Sequence, residues 1–146
     1  MDNRGFTIIE LIVVVAIIAV LAAIVLVSVT SYINKGKDSS IKANISSIAT
    51  NAIVYFDSNL ATLGTFTNFC NNKYVLTPKQ AIVNAGSNAD EFRCYDSAST
   101  WCVCATLIGG SDDTFCADYT GYKKQTSGGF CSSRCHDDAT KYCTDS

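Results

Sequence analysis

The stretch from Gly5 to Val27 reads GFTIIELIVVVAIIAVLAAIVLV. From Leu11 to Val27 it is 17 apolar residues in a row. With Phe6–Glu10 before it and Ser28–Val29 after it, 24 residues carry a single charge, Glu10. A helix rising about 1.5 Å per residue would span about 36 Å here, against about 30 Å of bilayer hydrocarbon. The run is too long for the apolar part of a cleaved signal peptide, and no small-residue cleavage site follows it. A membrane-spanning helix is expected. Glu10, one turn into that helix, is costly: an ionisable group at the bilayer centre costs about 2.5–3.5 kcal/mol. It therefore calls for a partner.

The helix is expected to continue beyond the apolar run. Ile41, Ile45, Ile48, Ala52 and Tyr55 are spaced 4, 3, 4 and 3 apart, which keeps them on one face. Lys35, Lys37, Asp38, Lys42, Asn44 and Asn51 fall on the other side. Between Phe6 and Leu60 there is no proline and one glycine, Gly36. One continuous helix of roughly 50 residues follows from this pattern.

Composition divides the chain in two. Its 146 residues are 48% hydrophobic and 16% charged, with net charge −2. That apolar content excludes whole-chain disorder. The near-neutral balance gives no general electrostatic pull toward nucleic acid or anionic lipid. All eight cysteines lie within residues 60–146: Cys70, Cys94, Cys102, Cys104, Cys116, Cys131, Cys135 and Cys143. An even count packed into a small segment points to an oxidising compartment and to disulfides. All eight are candidates, and 105 pairings are possible.

The cysteine-bearing part reads as a small head of helix and antiparallel sheet. Gly64 and Asn68–Asn72 mark a loop. Thr77 and Pro78 read as the N-cap and first residue of a short helix ending near Asn84, with Gly86 beyond it. Glu91–Tyr95 is a candidate strand. In Trp101–Ile108, Trp101, Val103, Ala105 and Leu107 alternate with Cys102, Cys104 and Thr106, the period of a strand. Gly109–Asp113 is a turn, and Thr114–Tyr119 is the partner strand of a hairpin. Cys102 and Cys104, on one strand face, can feed two separate bridges. The tail from Gly128 to Ser146 reads as loop held by disulfides.

Nothing in the sequence asks for catalysis. There is one histidine, His136, with no phosphate-cradling glycine motif and no HExxH helix. Cys131-Ser-Ser-Arg-Cys135-His136 has three residues between its cysteines where the haem-attachment form has two. Disulfide partners, not haem ligands, are the reading. Asp112, Asp113 and Asp118 are calcium candidates by their oxygens, and otherwise a solvated turn. Tyr119, Tyr122, Lys123 and Lys124 mix aromatics with charge, but two lysines do not make a DNA-binding surface.

Gly5-Phe6-Thr7-Ile8-Ile9-Glu10, after a short leader with Arg4 and before the long apolar helix, resembles the prepilin signature of the type IV pilin and pseudopilin family. The resemblance is close over residues 1 to about 58 and covers the head in layout only. It implies an α+β fold: a long N-terminal helix, apolar then amphipathic, packed on a small antiparallel-sheet head with disulfides. The segments are then a leader at 1–5, a transmembrane and filament-core helix at 6–30, its amphipathic continuation at 31–60, and the head at 61–146.

The same resemblance implies processing by a prepilin peptidase between Gly5 and Phe6, with methylation of Phe6. It implies a precursor in the cytoplasmic membrane and assembly by inner-membrane machinery. The product is an extracellular filament of copies of the chain, serving adhesion, motility or DNA uptake. A pseudopilin of type II secretion, or a minor tip pilin acting as a binding module, is the alternative. Phe6 and Glu10 are the assembly residues: in a staggered bundle, the carboxylate of one subunit meets the amine of its neighbour. Many family members carry proline where this chain has Val27. Any local unwinding is expected at Ser28–Ser31 or Gly36 instead.

Overall fold

A computed structural model describes residues 7–58, 64–87, 91–110, 113–135 and 142–143, leaving aside the side chain of Val27. Two compact units are present, residues 1–34 and 35–146. The first helix, α1 (Ile8–Ser58), is 51 residues long and belongs to both. It runs unbroken through Ser28–Ser31 and Gly36, so the expected weak points are helical here. The hydroxyls of Ser28 and Thr30 donate to the carbonyls of Ile24 and Leu26, one turn back. That local bond lets weak helix formers sit inside a helix without an unsatisfied polar group.

In the second unit the amphipathic stripe does what its spacing predicts. Ile41, Ile45, Ile48, Ala52 and Tyr55 are all buried. Burying an isoleucine side chain contributes about 1.5–3 kcal/mol, several times a helix-surface ion pair. Packing of this face, more than helix propensity, holds the segment. Asp38 departs from the expectation of a solvent-side residue. It is buried, because its carboxylate accepts the backbone N–H groups of Ile108 and Gly109.

A 3-10 turn at Phe69–Asn71 leads into α2 (Lys73–Ala85). This helix begins earlier than Thr77-Pro78 suggested. Asn72 is its N-cap, with its side-chain oxygen accepting from Tyr74 N at 3.3 Å, and Pro78 lies inside the helix. The end is where the sequence placed it. Gly86 has φ +110°, a left-handed cap that glycine adopts without strain, and its N–H bonds Ile82 and Val83 carbonyls.

Four strands follow: β1 (Arg93–Asp96), β2 (Trp101–Thr106), β3 (Thr114–Asp118) and β4 (Lys123–Thr126). They form one antiparallel sheet in chain order. The hairpin of β2 and β3 is the expected one, pairing Cys104 with Cys116 and Thr106 with Thr114. The edge strand β4 was not foreseen: Lys123, Lys124 and Gln125 are exposed and carry no apolar alternation. The tail is also not all loop, since Cys131–Arg134 form a short helix, α3.

β2 is buried on both faces. Trp101, Val103, Ala105 and Leu107 join the apolar core with the α1 stripe, Phe69, Val75 and Ile82. Aromatic rings knit that core: Trp101 lies 5.7 Å from Phe69, and Phe69 lies 5.2 Å from Tyr55, centroid to centroid. Cys102 and Cys104 point the other way, into a second cluster with Cys116, Cys131, Cys135 and Cys143.

Candidate functional site

Two places carry the chemistry that the sequence singled out: the start of α1 and the cysteine cluster. Gly5 and Phe6 lie outside the described residues. Thr7 and Glu10 lie within them and close a capping box. Glu10 Oε2 accepts from Thr7 N at 2.9 Å and from Thr7 Oγ1 at 2.8 Å, and Glu10 N donates to Thr7 Oγ1 at 3.3 Å. Two of the helix's unpaired N-terminal donors are satisfied this way. The Thr-x-x-Glu pattern is legible in the sequence, but reading Glu10 as an intermolecular partner alone left it out. A carboxylate there also faces the positive end of the helix dipole.

Beyond this cap the helix surface is apolar on every side. Ile8, Ile12, Ile18, Val20, Ile24 and Leu26 are all more than half exposed. By length and composition this is a helix able to cross a membrane, and its most apolar window has a mean hydropathy of 3.4 with none of it buried. An apolar surface of this extent is stable in water only when covered, by lipid or by protein.

The cysteines are sorted by strand geometry. Cys70 pairs with Cys94, tying the turn before α2 to β1. Cys102 pairs with Cys135 and Cys104 with Cys131, at Cα separations of 5.8 and 5.5 Å. The two-residue spacing on β2 thus feeds two bridges into α3 and the residue after it. Cys135 comes four positions after Cys131, about one helical turn, so both can face the same strand. Cys116 and Cys143 remain as buried thiols in the same cluster. Hydrogen bonding toward Cys116, then burial, then the charges of Cys116 and Asp118 push the Cys143 thiol well above its ordinary range.

Asp118 is buried and fully engaged. Its Oδ1 accepts from Thr120 N and Oγ1 and from Tyr122 N, and its Oδ2 accepts from Cys143 N at 2.7 Å. It is a turn and tail anchor, a role not visible from its neighbours in sequence. Asp113, at the other end of β3, accepts from Gln125 Nε2 at 2.8 Å. The two are five positions apart along extended chain, about 16 Å. Asp112 and His136 lie outside the described residues. Among the described residues, no group of three or more His, Cys, Asp or Glu is placed to hold a metal ion. Lys123 and Lys124 sit exposed on β4, with the Lys124 ammonium 5.4 Å above the Tyr122 ring.

Residues 1–26 match the family model of the prokaryotic N-terminal methylation motif, the prepilin-type signature of type IV pilins and pseudopilins. No curated protein and no solved structure matches the chain.

Proposed function

We propose that this chain is a structural subunit that polymerises through its N-terminal helix into an extracellular type IV pilus-like filament. The methylation motif over residues 1–26 carries the reading, and it supports a type IV pilin-like or pseudopilin protein. Such a motif implies a structural protein, cut by a prepilin peptidase and assembled into pilus-like polymers. In this reading the cut falls between Gly5 and Phe6, and Phe6 is methylated. With its apolar helix, the motif fits a membrane-anchored precursor that later enters a filament.

The physical logic rests on one helix with two coverings. In the precursor its apolar surface is solvated by lipid tails. In the filament the same surface packs on copies of itself, through a head-to-tail contact that does not close into a ring. Charges in that low-dielectric core are tolerated only in pairs. The Phe6 amine of one subunit and the Glu10 carboxylate of the next form such a pair, and it selects one axial register. The capping box is compatible with this role. Thr7 supplies neutral donors, so the carboxylate keeps its full charge for an ammonium group.

The test is mass spectrometry of the subunit from sheared surface fibres, together with electron microscopy of those fibres. The expected outcome is fibres whose subunit begins at N-methylated Phe6. A chain confined to the cell envelope, with exoprotein release depending on it, would replace this reading with a type II secretion pseudopilin. A chain still carrying residues 1–5 would end both.

A further inference from the structure

We propose that Cys116 and Cys143 are the site of a fourth disulfide, which bonds the C-terminal segment to the middle of β3. Three observations converge on it. The two side chains are both buried, at 1% and 5% exposure, and pack in one cluster with the cysteines of the two bridges to β2. The backbone of Cys143 is already fixed at that spot, through a β-bridge to Cys135 and a 2.7 Å bond from its N–H to Asp118 Oδ2. The other six cysteines are all engaged in Cys70–Cys94, Cys102–Cys135 and Cys104–Cys131. Two thiols held in one closed cluster need the removal of two hydrogens to become a bridge. A metal is not the alternative occupant, because two sulfurs are too few donors for a structural zinc site and no third ligand converges among the described residues.

The chemistry balances with a disulfide-bearing oxidant of the extracytoplasmic space. One cysteine thiolate attacks a sulfur of the oxidant, its proton passes to water, and one thiol of the oxidant leaves. The second cysteine thiolate then attacks the mixed disulfide and releases the other thiol. Two cysteine thiols are oxidised and one oxidant disulfide is reduced to two thiols. The attacking species is the thiolate, and the buried Cys143 thiol resists ionising. The bond therefore forms while the tail is still undocked, and docking then shields it from reductants.

The register makes the pairing specific and the wrong pairings identifiable. Cys104 stands opposite Cys116 across β2 and β3, and Cys135 bridges to Cys143. A shuffled head would join Cys104 to Cys116 and Cys135 to Cys143 in place of the cluster bonds described above.

The experiment uses the full chain, extracted from cells without reductant into iodoacetamide and then unfolded. Four bridges lower the intact mass by eight hydrogens relative to the reduced chain, whereas three bridges remove six hydrogens and leave two thiols that each gain a carbamidomethyl group. Digestion with trypsin and chymotrypsin separates the partners: Phe115 and Tyr119 isolate Cys116 from Cys104, and Lys141 isolates Cys143 from Cys135. The expected result is no alkylated cysteine and a linked Cys116–Cys143 peptide. In Cys116→Ser, Cys143 becomes the one alkylated residue, and the reverse holds in Cys143→Ser. Alkylation of both residues in the unsubstituted chain, or a bond from either to Cys104 or Cys135, overturns the proposal. If the serine variants fail to accumulate, the map of the unsubstituted chain decides alone.

Discussion

The carboxylate of Asp38 accepts the backbone N–H of Ile108 at 2.6 Å, across 70 residues of sequence, and that of Gly109 at 3.1 Å. Helix α1 thereby grips the loop that closes the β2–β3 hairpin. Bonds to a charged acceptor contribute more than neutral ones, and their loss strands two amide donors. Asp38→Ala is expected to destabilise the head by about 1–3 kcal/mol. Trp101, the single tryptophan and buried in the core, reports this directly. Its fluorescence through a denaturant titration of the full chain in detergent should show an earlier midpoint. An unchanged midpoint would mean the bonds contribute nothing net.

Glu10 has two jobs that substitutions can separate. Glutamine serves in a capping box as well as glutamate does, but it carries no charge. Glu10→Gln is expected to leave helix content and membrane insertion intact while abolishing surface fibres. Glu10→Ala and Glu10→Val should also insert and fail to assemble. Thr7→Val, which removes the capping hydroxyl but keeps the charge, should cost about 1 kcal/mol at the helix start and still yield fibres. Counting fibres by electron microscopy across this set is decisive. Normal fibres from Glu10→Gln would remove the charge from the assembly argument.

Pro78 sits inside α2, where it has no N–H for the Tyr74 carbonyl one turn back. Pro78→Ala restores that bond and improves helix propensity. The thermal midpoint of the full chain should rise, by less than the roughly 3 kcal/mol that an interior helical proline costs in an isolated helix. A fall would mean that the ring's packing outweighs the lost bond.

Reduction exposes a pH signature at Cys143. The groups that act on it are Cys116 and the Asp118 carboxylate, both of which disfavour its thiolate, together with burial. In the unfolded reduced chain this thiol ionises near its ordinary value of 9.0, whereas in the folded chain it stays protonated to higher pH. The unfolded state then binds fewer protons, so stability falls as pH rises. The contribution is complete below about pH 9 and is lost above it, at up to about 1.4 kcal/mol per pH unit. Denaturation midpoints of the fully reduced chain from pH 7 to 10.5 should show this decline beyond that of the reduced Cys143→Ser variant. Parallel profiles would contradict it.

What the sequence revealed follows from how local each signal is. The apolar run, the Ile41–Tyr55 stripe, the Gly86 stop and the Trp101–Ile108 alternation are read within a few residues, and the structure has them, with the strand ending at Thr106. The start of α2 was missed because a Thr-Pro pair imitates a helix entrance, while Asn72 does the capping. β4 was missed because an edge strand open to water needs no apolar alternation. Asp38 looked like a solvated charge because its partners lie 70 residues away. Cysteine pairing was out of reach for the same reason. It is set by sheet register and by where α3 docks, neither of which leaves a trace in spacing alone.

β2 is buried on both sides from Trp101 to Ala105, with rings and aliphatic chains against one face and sulfur against the other. This makes the head's room for sequence drift very uneven. A change at Val103 or Ala105 must fit a packed apolar layer, and a change at Cys102 or Cys104 breaks a covalent bond. Few accepted alternatives exist at any of the four. Lys123, Lys124 and Gln125, two strands away, face solvent and can be replaced at small cost. Two relatives of this chain could therefore present quite different outer surfaces while sharing the same central strand.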